Sequence, residues 1–159
     1  MTTAPLVIET HSPEETLEWG RRIGRAAAPG DVLALVGDLG SGKTVLAKGV
    51  AEGLGAAAAR EVTSPTFVLC REYLGGRIPF YHLDAYRLRG AADLEAIGAA
   101  EILGGNGLAV LEWADRTPQA LPKDYLEVRL EVAGETARRL TFTASGPLSS
   151  RFLGAIQAR

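Results

Sequence analysis

The sequence of 159 residues predicts a single α/β domain, and three observations carry that prediction. An unbroken apolar run from Val32 to Val36 leads straight into a glycine-rich segment and then into a segment of helical periodicity. A second apolar run, Leu108 to Leu111, ends in an acid, Glu112. Two further stretches, Phe67 to Leu83 and Tyr125 to Phe142, carry the aromatic, β-branched and alternating patterns of hairpins.

Each element has a local reason. Leu6 to Ile8 is a short β-branched run; Ser12-Pro13-Glu14-Glu15 then supplies an N-cap, a proline at the first helical position and an acid at the third. Leu17, Gly20, Ile23, Gly24 and Ala27 fall near helical spacing until Pro29-Gly30 stops the pattern. Val32 to Val36 suits a strand covered on both faces of a parallel sheet. From Lys43, the residues Leu46, Val50, Ala51 and Leu54 repeat as one helical face, and Gly55 ends it. The runs Phe67 to Tyr73 and Arg77 to Leu83, around Gly75-Gly76, predict a hairpin whose second strand Pro79 pushes towards a sheet edge. A short helix is expected over Asp93 to Ile97, and Gly104-Gly105 breaks the chain before the strand that ends in Glu112. Val128, Leu130 and Val132 alternate with Arg129 and Glu131, Leu140 and Phe142 do likewise, and the turn falls near Ala133 to Glu135. A terminal helix with Phe152, Leu153 and Ile156 follows. No repeat and no low-complexity linker divides the chain, so residues 1–159 read as one domain.

Composition removes several function classes. With 47% hydrophobic and 23% charged residues the chain buries an ordinary core and is not a disordered segment. A net charge of −2 argues against a basic face that grips nucleic acid unaided. The single cysteine, Cys70, excludes an internal disulfide and a cysteine-cluster metal site, and fits a reducing compartment. No basic residue precedes an apolar segment at the N-terminus, and no apolar run approaches the roughly 20 residues of a membrane span. The expectation is a soluble, cytoplasmic protein with no membrane association.

The chemistry concentrates at Gly37-Asp38-Leu39-Gly40-Ser41-Gly42-Lys43-Thr44, which fits G-x-x-x-x-G-K-[ST] between a predicted strand and a predicted helix. Glycines let successive backbone N–H groups turn inward around a phosphate, and the helix N-terminus adds roughly half a positive charge. Lys43 then neutralises the outer phosphates and the Thr44 hydroxyl ligates Mg²⁺. The loop alone specifies a nucleoside triphosphate with Mg²⁺ and not its fate.

Such a site also needs a carboxylate at the tip of a neighbouring strand. Glu112 follows Leu108 to Leu111, and Asp84 follows Phe80 to Leu83, so both would emerge at strand carboxyl ends, where open α/β sheets bind ligands. Either could instead be a loop-top acid or a helix cap. Thr66, in Ser64-Pro65-Thr66-Phe67, lies where a mobile segment can sense the γ-phosphate, although a Ser-Pro turn reads the same way. Trp113 reads first as a core residue, Arg87 and Arg89 as solvated, His82 and His11 as structural or surface residues, and Cys70 as a small packing residue.

These motifs, with His82-Leu83-Asp84-Ala85-Tyr86-Arg87 and Glu112-Trp113, resemble in order and spacing the four blocks of the TsaE (YjeE) family of P-loop ATPases in bacterial tRNA threonylcarbamoyladenosine synthesis. The resemblance spans Gly37 to Trp113. It implies a P-loop NTPase-like three-layer sandwich, its mixed sheet built by adding antiparallel hairpins to a parallel core. It implies a nucleotide-binding set of Gly37, Asp38, Leu39, Gly40, Ser41, Gly42, Lys43, Thr44 and Val45, with Mg²⁺ held by Thr44 and Glu112. Asp84 would act on the attacking water, Thr66 would sit on a nucleotide-sensing switch, Lys43 would serve catalysis as well as binding, and Trp113 would be functionally sensitive. The implied cofactors are ATP and Mg²⁺. The implied partners are the carbamoyl-transferring subunit TsaD and its companion TsaB, with tRNA met only through that complex. Val45 stands where the family usually has a second threonine, and Leu83 and Ala85 where it has Phe and Leu. The family's adenine-contacting segment would fall around Glu9 to Glu15.

The reading that follows is a Mg²⁺-dependent ATPase, slow alone and coupled to a partner. Two rivals remain at this level: a small-molecule kinase, disfavoured because a hairpin rather than further βα units follows the loop helix, and a nucleotide-gated docking module with negligible catalysis. A GTPase is disfavoured because the chain has no N-K-x-D run.

Overall fold

The structure, a computed structural model, describes residues 4–38, 40–56, 70–84, 92–93, 98–114 and 121–158. Within them the chain runs β1 (Leu6–Thr10), α1 (Pro13–Ala26), β2 (Val32–Val36), α2 (Lys43–Leu54), β3 (Cys70–Tyr73), β4 (Phe80–Asp84), α3 (Ala99–Ile102), β5 (Leu108–Glu112), β6 (Leu126–Val132), β7 (Arg138–Ala144) and α4 (Pro147–Gln157). The described strands form one mixed sheet in the order β1-β7-β6-β2-β5-β4-β3. β6, β2, β5 and β4 are parallel; β3 adds antiparallel to β4, while β7 and then β1 add antiparallel beyond β6. The expected hairpins on a parallel core are therefore present.

β2 lies at the centre of this sheet, and all five of its residues are buried. Its side chains alternate between two cores, as a strand's must. Leu33 and Leu35 meet Ile23 of α1, Leu46 and Val50 of α2, and Phe152 of α4. Val32, Ala34 and Val36 meet Leu83, Ala109 and Leu111, with Ile102, Leu103, Leu121 and Tyr125 packed against them. Helices α1, α2 and α4 thus cover one face.

The caps explain where the helices begin. Ser12 Oγ accepts from the Glu15 backbone N–H at 3.2 Å, and Glu15 Oε2 accepts from the His11 N–H at 2.8 Å, so α1 starts where the sequence signals it. α4 starts on the Asp124 carboxylate, which accepts from the backbone N–H groups of Leu148 (2.7 Å) and Ser149 (2.9 Å). Partial burial raises the Asp124 carboxyl, but the bonds from Ser149 and Leu148 outweigh it and hold the group below the usual range.

α1 and α2 cross unusually closely. A Cβ on Gly20 would lie 2.4 Å from Leu46 O and 2.8 Å from Gly49 Cα, and one on Gly49 would lie 2.2 Å from Leu17 O. Gly24 and Gly53 repeat the arrangement one turn on. This crossing fixes the start of α1 relative to the loop that opens α2.

One expectation changes. Pro79 does not put its strand at an edge: β4 lies between β5 and β3, and β3 is the edge. Pro79 precedes β4, where its missing N–H interrupts no ladder, and its carbonyl accepts from Leu108 N–H at 2.9 Å. α3 at Ala99–Ile102 was not expected, while 94–97 of the helix expected over Asp93 to Ile97 lie outside the described residues. The first hairpin strand is described only from Cys70, and Phe67 to Leu69 lie outside. Among the described residues no helix is long and apolar enough to cross a membrane.

Candidate functional site

The site starts from the carboxyl end of β2, where the chain leaves the sheet through Gly37 and Asp38 and re-enters regular structure at Lys43. Gly42, the N-cap of α2, has φ +103°, a conformation L side chains rarely adopt, so the last glycine before Lys43 is required by the backbone. Among the described residues no side-chain cap bond closes this end of α2, and its first turn has no acid. The backbone N–H groups of a helix start suit an anion. Gly37 is equally constrained by space, since a Cβ there would lie 2.7 Å from Leu130 O and 2.7 Å from Ser41 Oγ. That hydroxyl is buried and has no hydrogen-bond partner among the described residues. A loop of close backbone, an uncapped helix start and an unpartnered buried hydroxyl fit a phosphate. Leu39 lies outside the described residues; Asp38 and Gly40 are exposed, and Thr44 and Val45 are half-buried.

Lys43 is buried, and its ammonium donates to Gly37 O and, at 3.3 Å, to Asp38 O. It also sits 3.5 Å from the centre of the Trp113 indole. Trp113 is the residue immediately after β5, and its φ of +60° is a conformation costing a non-glycine residue on the order of 1–3 kcal/mol. This contact joins the loop to the end of the acid-bearing strand.

The acids converge there as well. Asp84 and Glu112 are register partners on the parallel strands β4 and β5, both almost fully buried. Alternation places them, with His82, on the face that carries Phe80, Leu108 and Val110, the face covered by α1 and α2. His82 Nε2 hydrogen-bonds Glu112 Oε2, an arrangement the sequence reading, which treated His82 as structural or surface, did not foresee. Among the described residues no group of three His, Cys, Asp or Glu could by itself cage a metal. A hydroxyl and one or two carboxylates are hard oxygen donors of the kind Mg²⁺ shares with phosphates, so Thr44 with Glu112 fits it.

Beside the loop, a pocket of about 100 Å³ is lined by Pro13, Thr16, Gly42, Val45, Thr136 and Arg138, together with Glu135. Pro13 belongs to the segment expected to meet a base; Thr16, Thr136 and Arg138 were not singled out. The Arg138 guanidinium donates to Gly40 O at 3.2 Å and to Ala137 O at 2.8 Å, and Thr16 Oγ1 lies 2.7 Å from Thr10 Oγ1 in a buried hydroxyl pair. These partners are 98 and 6 residues apart in sequence, and the longer-range one leaves no local signal. Thr66, Arg87 and Arg89 lie outside the described residues. Burial pushes the Cys70 thiol above its ordinary value, in keeping with a packing residue rather than a nucleophile.

A central parallel strand running into a glycine loop and an uncapped helix, with acids at the tips of adjoining strands, defines the P-loop class of α/β proteins. The chain belongs to the TsaE family: the model described as "Threonylcarbamoyl adenosine biosynthesis protein TsaE" matches residues 10–140. It is 44% identical over 137 residues to the tRNA threonylcarbamoyladenosine biosynthesis protein TsaE of Bacillus subtilis, covering 86% of this chain and 84% of the relative. The protein of the same name from Treponema pallidum is 40% identical over 132 residues, covering 83% and 96%. The crystal structure of Bacillus subtilis YdiB is similar with a TM-score of 0.81 at 37% identity, covering 99% of this chain and 97% of that one.

Proposed function

We propose that this protein binds ATP with Mg²⁺ on the Gly37 to Thr44 loop, hydrolyses it slowly alone, and couples that hydrolysis to turnover of a TsaB–TsaD assembly making threonylcarbamoyladenosine in tRNA. The observation that carries the reading is the meeting of the two halves of the site: Lys43 of the loop lies on Trp113, next in the chain to Glu112 and across the strands from Asp84. The family's printed name supports the tRNA modification.

The chain's own groups divide the work. The N–H groups at the start of α2 and the Lys43 ammonium hold the outer phosphates as charge spreads over them, the interaction that lowers this kind of barrier most. Thr44 and Glu112 would hold Mg²⁺, which would supply positive charge against the outer phosphates. Asp84 orients a water and takes its proton as the water oxygen bonds to the γ-phosphorus and the bond to the β–γ bridging oxygen breaks, giving ADP and phosphate. Thr66 sits on the segment that senses the γ-phosphate, and the pocket beside Gly42 receives the base, with Val45 as an apolar contact. With a net charge of −2, the protein reaches tRNA through its partners in the cytoplasm rather than by its own surface.

The test is steady-state Mg²⁺-ATP hydrolysis by the protein alone and with TsaB and TsaD from the same source. Isolated P-loop proteins can turn over near 10⁻⁴ s⁻¹, and the expected result is strong stimulation by the two subunits. Tight ATP binding without stimulation would replace the coupled ATPase with a nucleotide-gated docking module.

A further inference from the structure

We infer that His82 is a positioning residue for the Glu112 carboxylate, holding it in place for the Mg²⁺ that accompanies the nucleotide. The inference rests on the assignment of Glu112 to Mg²⁺ made above.

His82 is 0% exposed and Glu112 1%. His82 is the register partner of Val110, two residues before Glu112, so its imidazole reaches diagonally along β5 on the face that carries both acids. The ring is stacked on Phe80 at 5.6 Å between centroids and 25° between planes, which fixes its orientation from the other side. Nε2 meets Glu112 Oε2, and since a carboxylate only accepts, Nε2 carries the proton and donates. Nδ1 is buried and has no hydrogen-bond partner among the described residues. An unpaired buried polar atom is destabilising, so an imidazole is a poor choice for filling this space; Phe80, two residues earlier, fills the same layer without that penalty. What the imidazole adds is one directed N–H on one carboxylate oxygen. That bond orients Glu112 before any cation arrives, the part usually played by groups that bond to a metal's ligands.

The readout is the ratio of dissociation constants for a non-hydrolysable ATP analogue in EDTA and in Mg²⁺, measured by calorimetry. In the wild type Mg²⁺ should strengthen binding. His82→Leu should shrink that gain about 10-fold or more, the usual effect of losing such a partner, while affinity in EDTA stays within about twofold. His82→Gln places an N–H close to the position of Nε2 and should restore most of the gain; His82→Asn places one near Nδ1 and should not. A full Mg²⁺ gain in His82→Leu, alongside its loss in Glu112→Gln, would overturn the role of His82. Equal behaviour of the Gln and Asn variants would overturn it too, and decides the matter if the Leu variant does not fold. A full gain in Glu112→Gln would instead remove the assignment of Glu112 to Mg²⁺, and this inference with it.

Discussion

Asp84 and Glu112 stand side by side at the tips of β4 and β5, and the proposed function gives them different roles. Glu112 is bonded by His82 and adjoins Trp113, the residue under Lys43, in keeping with the charge-holding role proposed for it. The role proposed for Asp84, on the neighbouring strand, is to act on the attacking water. Asp84→Asn should therefore keep Mg²⁺-ATP affinity within a few-fold and slow single-turnover hydrolysis by roughly 10²-fold or more, the range of a positioned general base. Collapse of binding with survival of turnover would exchange the roles of the two acids. At this scale the sequence was legible where chemistry is local: Gly37 to Thr44 and the two strand-end acids announce themselves by pattern. His82 does not, because its meaning lies in an oxygen 30 residues away. Arg138 is hidden for the same reason, its contact to the loop spanning 98 residues.

Among the elements, the α1–α2 crossing matters most to the site, because it sets Pro13 and Thr16 against Gly42 and Val45. At Gly49 two effects of opposite sign compete. By helix propensity alone, Gly49→Ala would stabilise α2 by about 1 kcal/mol. The added Cβ would fall 2.2 Å from Leu17 O, a backbone atom that cannot swing aside, and overpacking of this kind costs about 1–3 kcal/mol or more. The clash wins, and Gly49→Ala should lower stability in urea unfolding; a rise in the midpoint at constant slope would contradict the close crossing. Element limits were readable because their signals are short-range: α2 runs from Lys43 to Leu54 and stops at Gly55, whose φ is +78°. Pro79 misled because a proline immediately before a strand and one inside it look alike in sequence, and only pairing tells them apart.

For the whole molecule, strand order does the functional placing. β2, β5 and β4 run side by side in parallel, so the loop after β2 and the acids closing β5 and β4 emerge at one end of the sheet. Hydrophobic pattern identifies these strands but not their neighbours, since pairing is decided by contacts far apart in sequence. The insertion of β6 beside β2 and the return of β1 to β7 are of that kind. They bring Thr136 of the β6–β7 turn and Arg138 at the start of β7 over the loop beside the start of α1 and so close the pocket at Gly42. The central claim is that this assembled end of the sheet holds a Mg²⁺-nucleotide through its phosphates. Its most direct test is calorimetric titration of Mg²⁺-ATP into the wild type and Lys43→Ala. The account predicts a saturable single-site heat for the wild type and none for the variant; equal affinity in the two proteins would contradict it.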